Sequence, residues 1–141
     1  MPHVTLELSA GLAPALDLTA LCAALAAAIG AVRDGTGAPV FPLGGTRVFA
    51  RPAAASSIAD GDPSHAFLYV NARIAPGRRP EVVRQLGDAM VRVVDAAIAP
   101  LLASRTIGWT LQIDEQVAVF DHKGGGNLKS LLAARDSSRG S

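Results

Sequence analysis

One cysteine, one tryptophan, one tyrosine and four phenylalanines in 141 residues leave little material for several kinds of protein. The lone Cys22 cannot close an intrachain disulfide. Three scattered histidines and one thiol in a helical pattern give no spacing that would hold a metal, so none is expected. Net charge is also nearly missing, since thirteen Lys and Arg oppose twelve Asp and Glu for a formal +1. Such a chain has no long-range field to draw in nucleic acid or an anionic membrane surface, so any recognition of anions must be local. Long apolar runs are absent too. The Ala-rich stretch 20–31 is too short to span a bilayer and has Asp17 and Arg33 just outside it, so it reads as a core helix. The start, Met-Pro-His, lacks the basic opening and apolar core of a signal peptide. Together these absences lead us to expect a cytoplasmic protein.

What is present is a hydrophobic half of the chain, enough for one domain that buries roughly two thirds of its unfolded surface. Residues 2–8 alternate in the manner of a strand. Asp17 is placed to cap a helix whose apolar stripe is Leu18, Leu21, Cys22, Leu25, Ala28, Ile29 and Val32. The Gly-Pro punctuation of "DGTGAPVFPLGG" ends that helix, and "TRVFAR" reads as a second strand. Residues 53–64 form a loop. The order then repeats, with "HAFLYVNARI" as a strand, "APGRR" as a turn, and a helix over 80–104 that Pro80 opens and Pro100 kinks or ends early. "IGWTLQID" and "VAVF" read as strands, "KGGGN" as a turn, and a third helix fits 127–134.

The pattern predicts an α+β fold: a β-α-β unit used twice, giving one four-stranded sheet with two helices on one face. The domain is expected over 1–135, with pseudo-repeats at about 2–52 and 64–122 and a disordered tail over 136–141. The other face of the sheet also reads as apolar, through Val4, Leu6 and Leu8 or through Phe67 and Tyr69. No segment of the chain remains to cover it except another subunit.

Several motifs, in order along residues 2 to about 128, carry a family resemblance: "MPH" at the start, "FPLGGTR" at 41–47, "DGDPSHAFLYV" at 60–70, "GRR" at 77–79, "SR" at 104–105 and "QIDE" at 112–115. Each is weak alone, and their joint spacing is much stronger. The sequence resembles the 5-carboxymethyl-2-hydroxymuconate isomerases of the tautomerase superfamily. The resemblance implies a fold like that of macrophage migration inhibitory factor, a homotrimer, no cofactor, a small carboxylate substrate, and an N-terminal proline that moves a proton.

Removal of Met1 would leave Pro2 with a free secondary amine. Burial and nearby cations both disfavour the protonated form of such an amine, so it can act as a neutral base near pH 7. Pro2 is the candidate catalytic residue; its other reading is a residue merely tolerated at a frayed end. While Met1 remains, the Pro2 nitrogen is an amide and no base at all. By the resemblance, Arg47 binds one carboxylate end of the substrate, where its planar fork also stabilises a developing dienolate. Arg78 matches a second substrate-binding arginine just before the long helix. Which of Arg78 and Arg79 faces the pocket stays open.

His3 alternates to the side of the strand away from Pro2 and reads as structural. Phe49 stands where relatives carry a second basic residue, which bears on substrate shape. Arg105 suits carbonyl capping. Cys22 and Trp109 read as core. The function that results is proton transfer converting a dienol carboxylate of the 2-hydroxymuconate type to its conjugated ketone, as in the breakdown of aromatic compounds. Its alternatives are a promiscuous tautomerase or hydratase of the same superfamily, and a non-catalytic trimeric binding domain.

Overall fold

The computed structural model describes residues 1–140. Four strands and three helices follow one another as β1 (His3–Leu8), α1 (Leu18–Gly30), β2 (Arg47–Pro52), β3 (His65–Ile74), α2 (Pro80–Ile98), β4 (Thr106–Glu115) and α3 (Leu128–Arg139). The strands form one sheet in the order β2-β1-β3-β4. β1 runs parallel to β2 and β3 parallel to β4, each pair joined through a helix, and β1 and β3 meet antiparallel in the centre. This is the doubled β-α-β arrangement that the sequence pattern predicts.

Local chemistry accounts for the element ends. The Asp17 carboxylate accepts a hydrogen bond from the Ala20 amide at 3.0 Å and so satisfies a free donor in the first turn of α1. Pro80 occupies the first turn of α2, where its missing N–H is no loss. Pro100 then stops the α-helix short of the expected 104: the chain leaves α geometry after Ile98 and tightens into a single 3₁₀ turn over Ala99–Leu101.

Both helices lay their apolar stripes on one face of the sheet. Leu21, Leu25 and Ile29 of α1 and Leu86, Met90 and Val94 of α2 are buried against the strands. From the sheet, Val4, Leu6, Leu8, Leu68, Val70, Ala72 and Ile74 enter the same core, none more than 2% exposed. Each large aliphatic side chain so buried contributes about 1.5–3 kcal/mol of transfer free energy.

Register corrects the reading of the second sheet face. Leu8 lies opposite Leu68 and Val4 opposite Ala72, so the Val4, Leu6, Leu8 set belongs under the helices. Alternation then sends His3, Thr5 and Glu7 to the uncovered side, together with Arg47, Phe49, Arg51, Phe67, Tyr69, Asn71, Arg73, Gln112 and Asp114. That face is polar with a few aromatic rings rather than apolar. Its side chains pair across strands: the Tyr69 hydroxyl donates to Gln112 Oε1 at 2.7 Å, and Asn71 Nδ2 donates to Asp114 Oδ2 at 2.7 Å.

Two further expectations change. "VAVF" is not a strand, because no strand among the described residues lies alongside it to supply ladder partners, and Val117, Val119 and Phe120 stand 80% or more exposed. The C-terminal helix is longer than 127–134 and continues to Arg139, through residues read as a disordered tail; Ser137 and Ser138 hydroxyls donate to the carbonyls of Ala133 and Arg135 there. The final residue of that expected tail, Ser141, lies outside the described residues. No described helix is long and apolar enough to cross a membrane.

Candidate active site

The sheet ends at Pro2 in a cavity of about 540 Å³. Its walls come from four places: the N-terminus with Pro2 and His3, the loop before β2 with Gly45 and Arg47, the end of β3 with Arg73 to Pro76, and the segment after β4 with Gln116 to Lys123. Pro2 is buried there, and its carbonyl accepts the Arg47 amide at 3.1 Å, which fixes the start of β1 against the start of β2. A backbone so tied holds the residue 2 nitrogen in one place.

Gly45 lets the terminus approach. A Cβ at that position would meet Met1 Cγ at 3.2 Å, Met1 Sδ at 3.3 Å and Pro42 Cγ at 3.3 Å, closer than side chains ordinarily pack. The Met1 side chain therefore fills space beside the "FPLGG" loop, and loss of Met1 would empty it. α3 supports the same loop from outside, with Leu132 Cδ1 3.4 Å from where a Gly44 Cβ would sit.

The electrostatics favour a neutral amine. Burial, then the Arg78 guanidinium, then the Lys123 ammonium hold the chain-terminal amine below its ordinary value, against a smaller upward pull from Asp121. These causes act on the Met1 amine, one residue ahead of Pro2.

The structure brings Pro2 and Arg47 into one cavity. Arg47 Nη1 donates to the carbonyls of Gly44 at 2.8 Å and Thr46 at 3.1 Å, which anchors the half-buried guanidinium on its own loop. Arg78 lies outside the cavity lining but near enough for its charge to act on the terminus. It follows Gly77, whose φ of +93° turns the chain sharply before α2. Its guanidinium carbon sits 5.6 Å from the ring centroid of Phe41, a cation–π arrangement. Its Nε is shut off from solvent and has no hydrogen-bond partner, an unsatisfied donor of the kind that costs about 1–3 kcal/mol. Arg79 instead turns outward, 81% exposed and 3.4 Å from Glu81 Oε2.

Residues 2–131, nearly the whole chain, match the model of one protein family. The chain belongs to the 5-carboxymethyl-2-hydroxymuconate isomerase family. As a member it is an isomerase. It is similar to the 5-carboxymethyl-2-hydroxymuconate Delta-isomerase of Escherichia coli, 29% identical over 115 residues, which are 82% of this chain and 86% of that one. A crystal structure of a 5-carboxymethyl-2-hydroxymuconate delta-isomerase superposes with a TM-score of 0.87 at 41% identity, covering 94% of this chain and 93% of the other. A 5-carboxymethyl-2-hydroxymuconate isomerase from Deinococcus radiodurans R1 gives 0.79 at 28% identity, over 92% and 93%. More distantly, a fused 4-OT symmetric trimer shares the fold, with a TM-score of 0.56 at 24% identity over 86% of this chain and 92% of that one. The isomerase thus shares its fold with the fused 4-OT trimer and with malonate semialdehyde decarboxylase.

Other expected residues take plainer places. His3 faces the uncovered side as alternation requires, its ring 5.4 Å from that of Phe49, yet it still contributes to the cavity wall beside Pro2. Arg105 Nη1 donates to the Gly11 carbonyl at 2.8 Å, a carbonyl in the loop before α1 rather than at a helix end. Trp109 packs partly buried against the core, and burial of the half-buried Cys22 raises its thiol above the ordinary value. Sequence reasoning missed Arg73, Asp121 and Lys123 in the cavity wall. Alternation in "NARI" puts Arg73 on a face with Tyr69 and Asn71, but only the β1–β3 register brings it beside His3.

Proposed function

We propose that the enzyme, once Met1 is removed, isomerises a 2-hydroxymuconate-type dienol carboxylate to its conjugated ketone with Pro2 as the proton carrier. The neutral amine takes the proton of the enol hydroxyl, the electron pairs of the diene shift along the chain, and the same nitrogen returns a proton to the distant carbon. One O–H bond is lost and one C–H bond is gained, with no net oxidation. Arg47 and Arg78 hold the carboxylates and stabilise the dienolate between the two transfers. The substrate class is that named for the relatives, 5-carboxymethyl-2-hydroxymuconate. The lone free thiol of Cys22 fits work in the cytoplasm.

The observation that carries this reading is the cavity itself, where a buried Pro2 lies beside Arg47 and the protonated form of the adjoining Met1 amine is disfavoured. A positioned base of this kind typically contributes ~10²–10⁴ in rate. The test is the ultraviolet change of enol-to-ketone conversion, on protein whose loss of Met1 has been verified by mass. Pro2→Ala keeps a primary amine in nearly the same place and should retain partial activity. A folded, Met1-free protein that leaves the dienol converting at its solution rate would overturn the proposal.

The working form is a homotrimer. The uncovered sheet face and the exposed Val117, Val119 and Phe120 are surfaces that this chain does not itself cover. Sedimentation at micromolar concentration should give three times the chain mass, and a stable monomer would refute this assembly.

A further inference from the structure

The proposed proton transfer uses Pro2, Arg47 and Arg78 and leaves one cation of the cavity without a task. Arg73 is the penultimate residue of β3. It pairs across the sheet with His3, which pairs in turn with Arg47, so the three form one row on the uncovered face. Two interstrand spacings separate the Arg47 and Arg73 backbones, roughly 10 Å.

The other cations at the cavity are already engaged. Lys123 Nζ lies 2.6 Å from Asp121 Oδ2. Arg47 commits Nη1 to two backbone carbonyls. Arg73 has no hydrogen bond or ion pair among the described residues, and its neighbour across the strands, Asp114, accepts from Asn71 instead. A guanidinium with its whole fork open, on a strand two interstrand spacings from that of Arg47, suits an anion too wide for a single site. Apolar wall from Ala75, Pro76 and Val117 lies next to Arg73 along the cavity, room for a methylene linker rather than for another charge.

We infer that Arg73 is a specificity-determining residue that binds the carboxylate of a side arm on the dienol, so that the cavity selects tricarboxylates over dicarboxylates. This rests on the isomerase reading of the site. With Arg47 and Arg78 assigned to the two ends of the main chain, a carboxymethyl branch carries a third negative charge beyond the two they bind. Arg73, across His3 from Arg47, supplies the complement. Charge-assisted hydrogen bonds of this type are among the stronger ones available to a protein.

The experiment compares two substrates, 5-carboxymethyl-2-hydroxymuconate and unbranched 2-hydroxymuconate, on Met1-free protein and on Arg73→Met. Arg73 is exposed in the single chain, so the substitution leaves the core intact; circular dichroism and sedimentation check folding and assembly. The variant should raise KM for the branched substrate about tenfold while leaving its kcat and the KM for the unbranched one within about twofold. Arg73→Lys should restore part of the discrimination at low ionic strength. Equal rises in KM for both substrates, or no rise for either, would overturn the inference while the isomerase reading stands. A wild-type protein that converts neither substrate would overturn that reading, and this inference with it.

Discussion

The two faces of the sheet are built from the same strands and answer to different physics. Under the helices, every second residue of the central strands β1 and β3 is aliphatic and sealed, as with Leu6 and Leu68, both 0% exposed. On the other side the intervening residues are Thr5, Glu7, Arg51, Tyr69 and Asn71, of which Tyr69 and Asn71 hydrogen-bond across strands to Gln112 and Asp114. The covered face is constrained by volume and the uncovered one by the placement of polar atoms. At the Pro2 end the two meet, where the buried Pro2 leads into the row of Arg47, His3 and Arg73. Stability and chemistry should therefore be separable by face.

The largest effect should come from blocking the terminal amine. Retaining Met1, or acetylating the free Pro2, removes the base and should cost ~10²–10⁴ in rate, with the protein still folded. The same amine sets the pH dependence. Burial and the neighbouring cations lower the Met1 amine, and if the same surroundings act on a freed Pro2 amine, its neutral form exists at lower pH than for an ordinary chain terminus. Catalytic efficiency should rise with pH through that lowered value and then level off. The unfolded chain binds more protons in the same window, so stability too should rise with pH there. A profile that instead falls with rising pH would favour Pro2 as an acid, as in hydratase chemistry.

Next in size is a cut on the covered face. Leu68→Ala removes a wholly buried side chain and should destabilise by about 2–5 kcal/mol in a denaturant titration. Turnover per folded molecule should hold. On the uncovered face, Arg47→Ala should do the reverse, costing on the order of 2–4 kcal/mol in kcat/KM with little change in unfolding. A loss under about tenfold would assign Arg47 to the scaffold instead.

How far these faces could be read in advance follows from what alternation carries. It says which residues share a side, as with Val4, Leu6 and Leu8, but not which side the helices cover or which neighbours share it. Those depend on register, and a one-residue difference moves a whole set across the sheet. Grouping Val4 with Phe67 is that error, corrected by Leu8 lying opposite Leu68. Local chemistry was more legible: Asp17, Pro80 and Pro100 mark their helix ends because capping and missing N–H groups act over a few residues. "VAVF" misleads for the opposite reason, since a strand needs a partner that no local pattern reveals. At the site, Pro2 and Arg47 carry motif signals, whereas Arg73 becomes visible only once β1 and β3 are aligned.

The smallest expected effect separates a bare face from a covered one. Tyr69→Phe deletes the hydroxyl that donates to Gln112 Oε1 at 2.7 Å, on the uncovered side near the middle of the sheet. In a free chain, water replaces the lost donor, and the change should be close to neutral. In a trimer that seals this face, Gln112 loses its partner away from water, and the cost should be about 1 kcal/mol, within the range for an unsatisfied buried acceptor. Because an oligomer's stability depends on protomer concentration, the two cases can be compared in one protein. Unfolding should show the penalty at concentrations where sedimentation gives the trimer, and the penalty should shrink as dilution frees the chains. A cost that stays the same across that dilution would mean the Tyr69 face is not the one the subunits share.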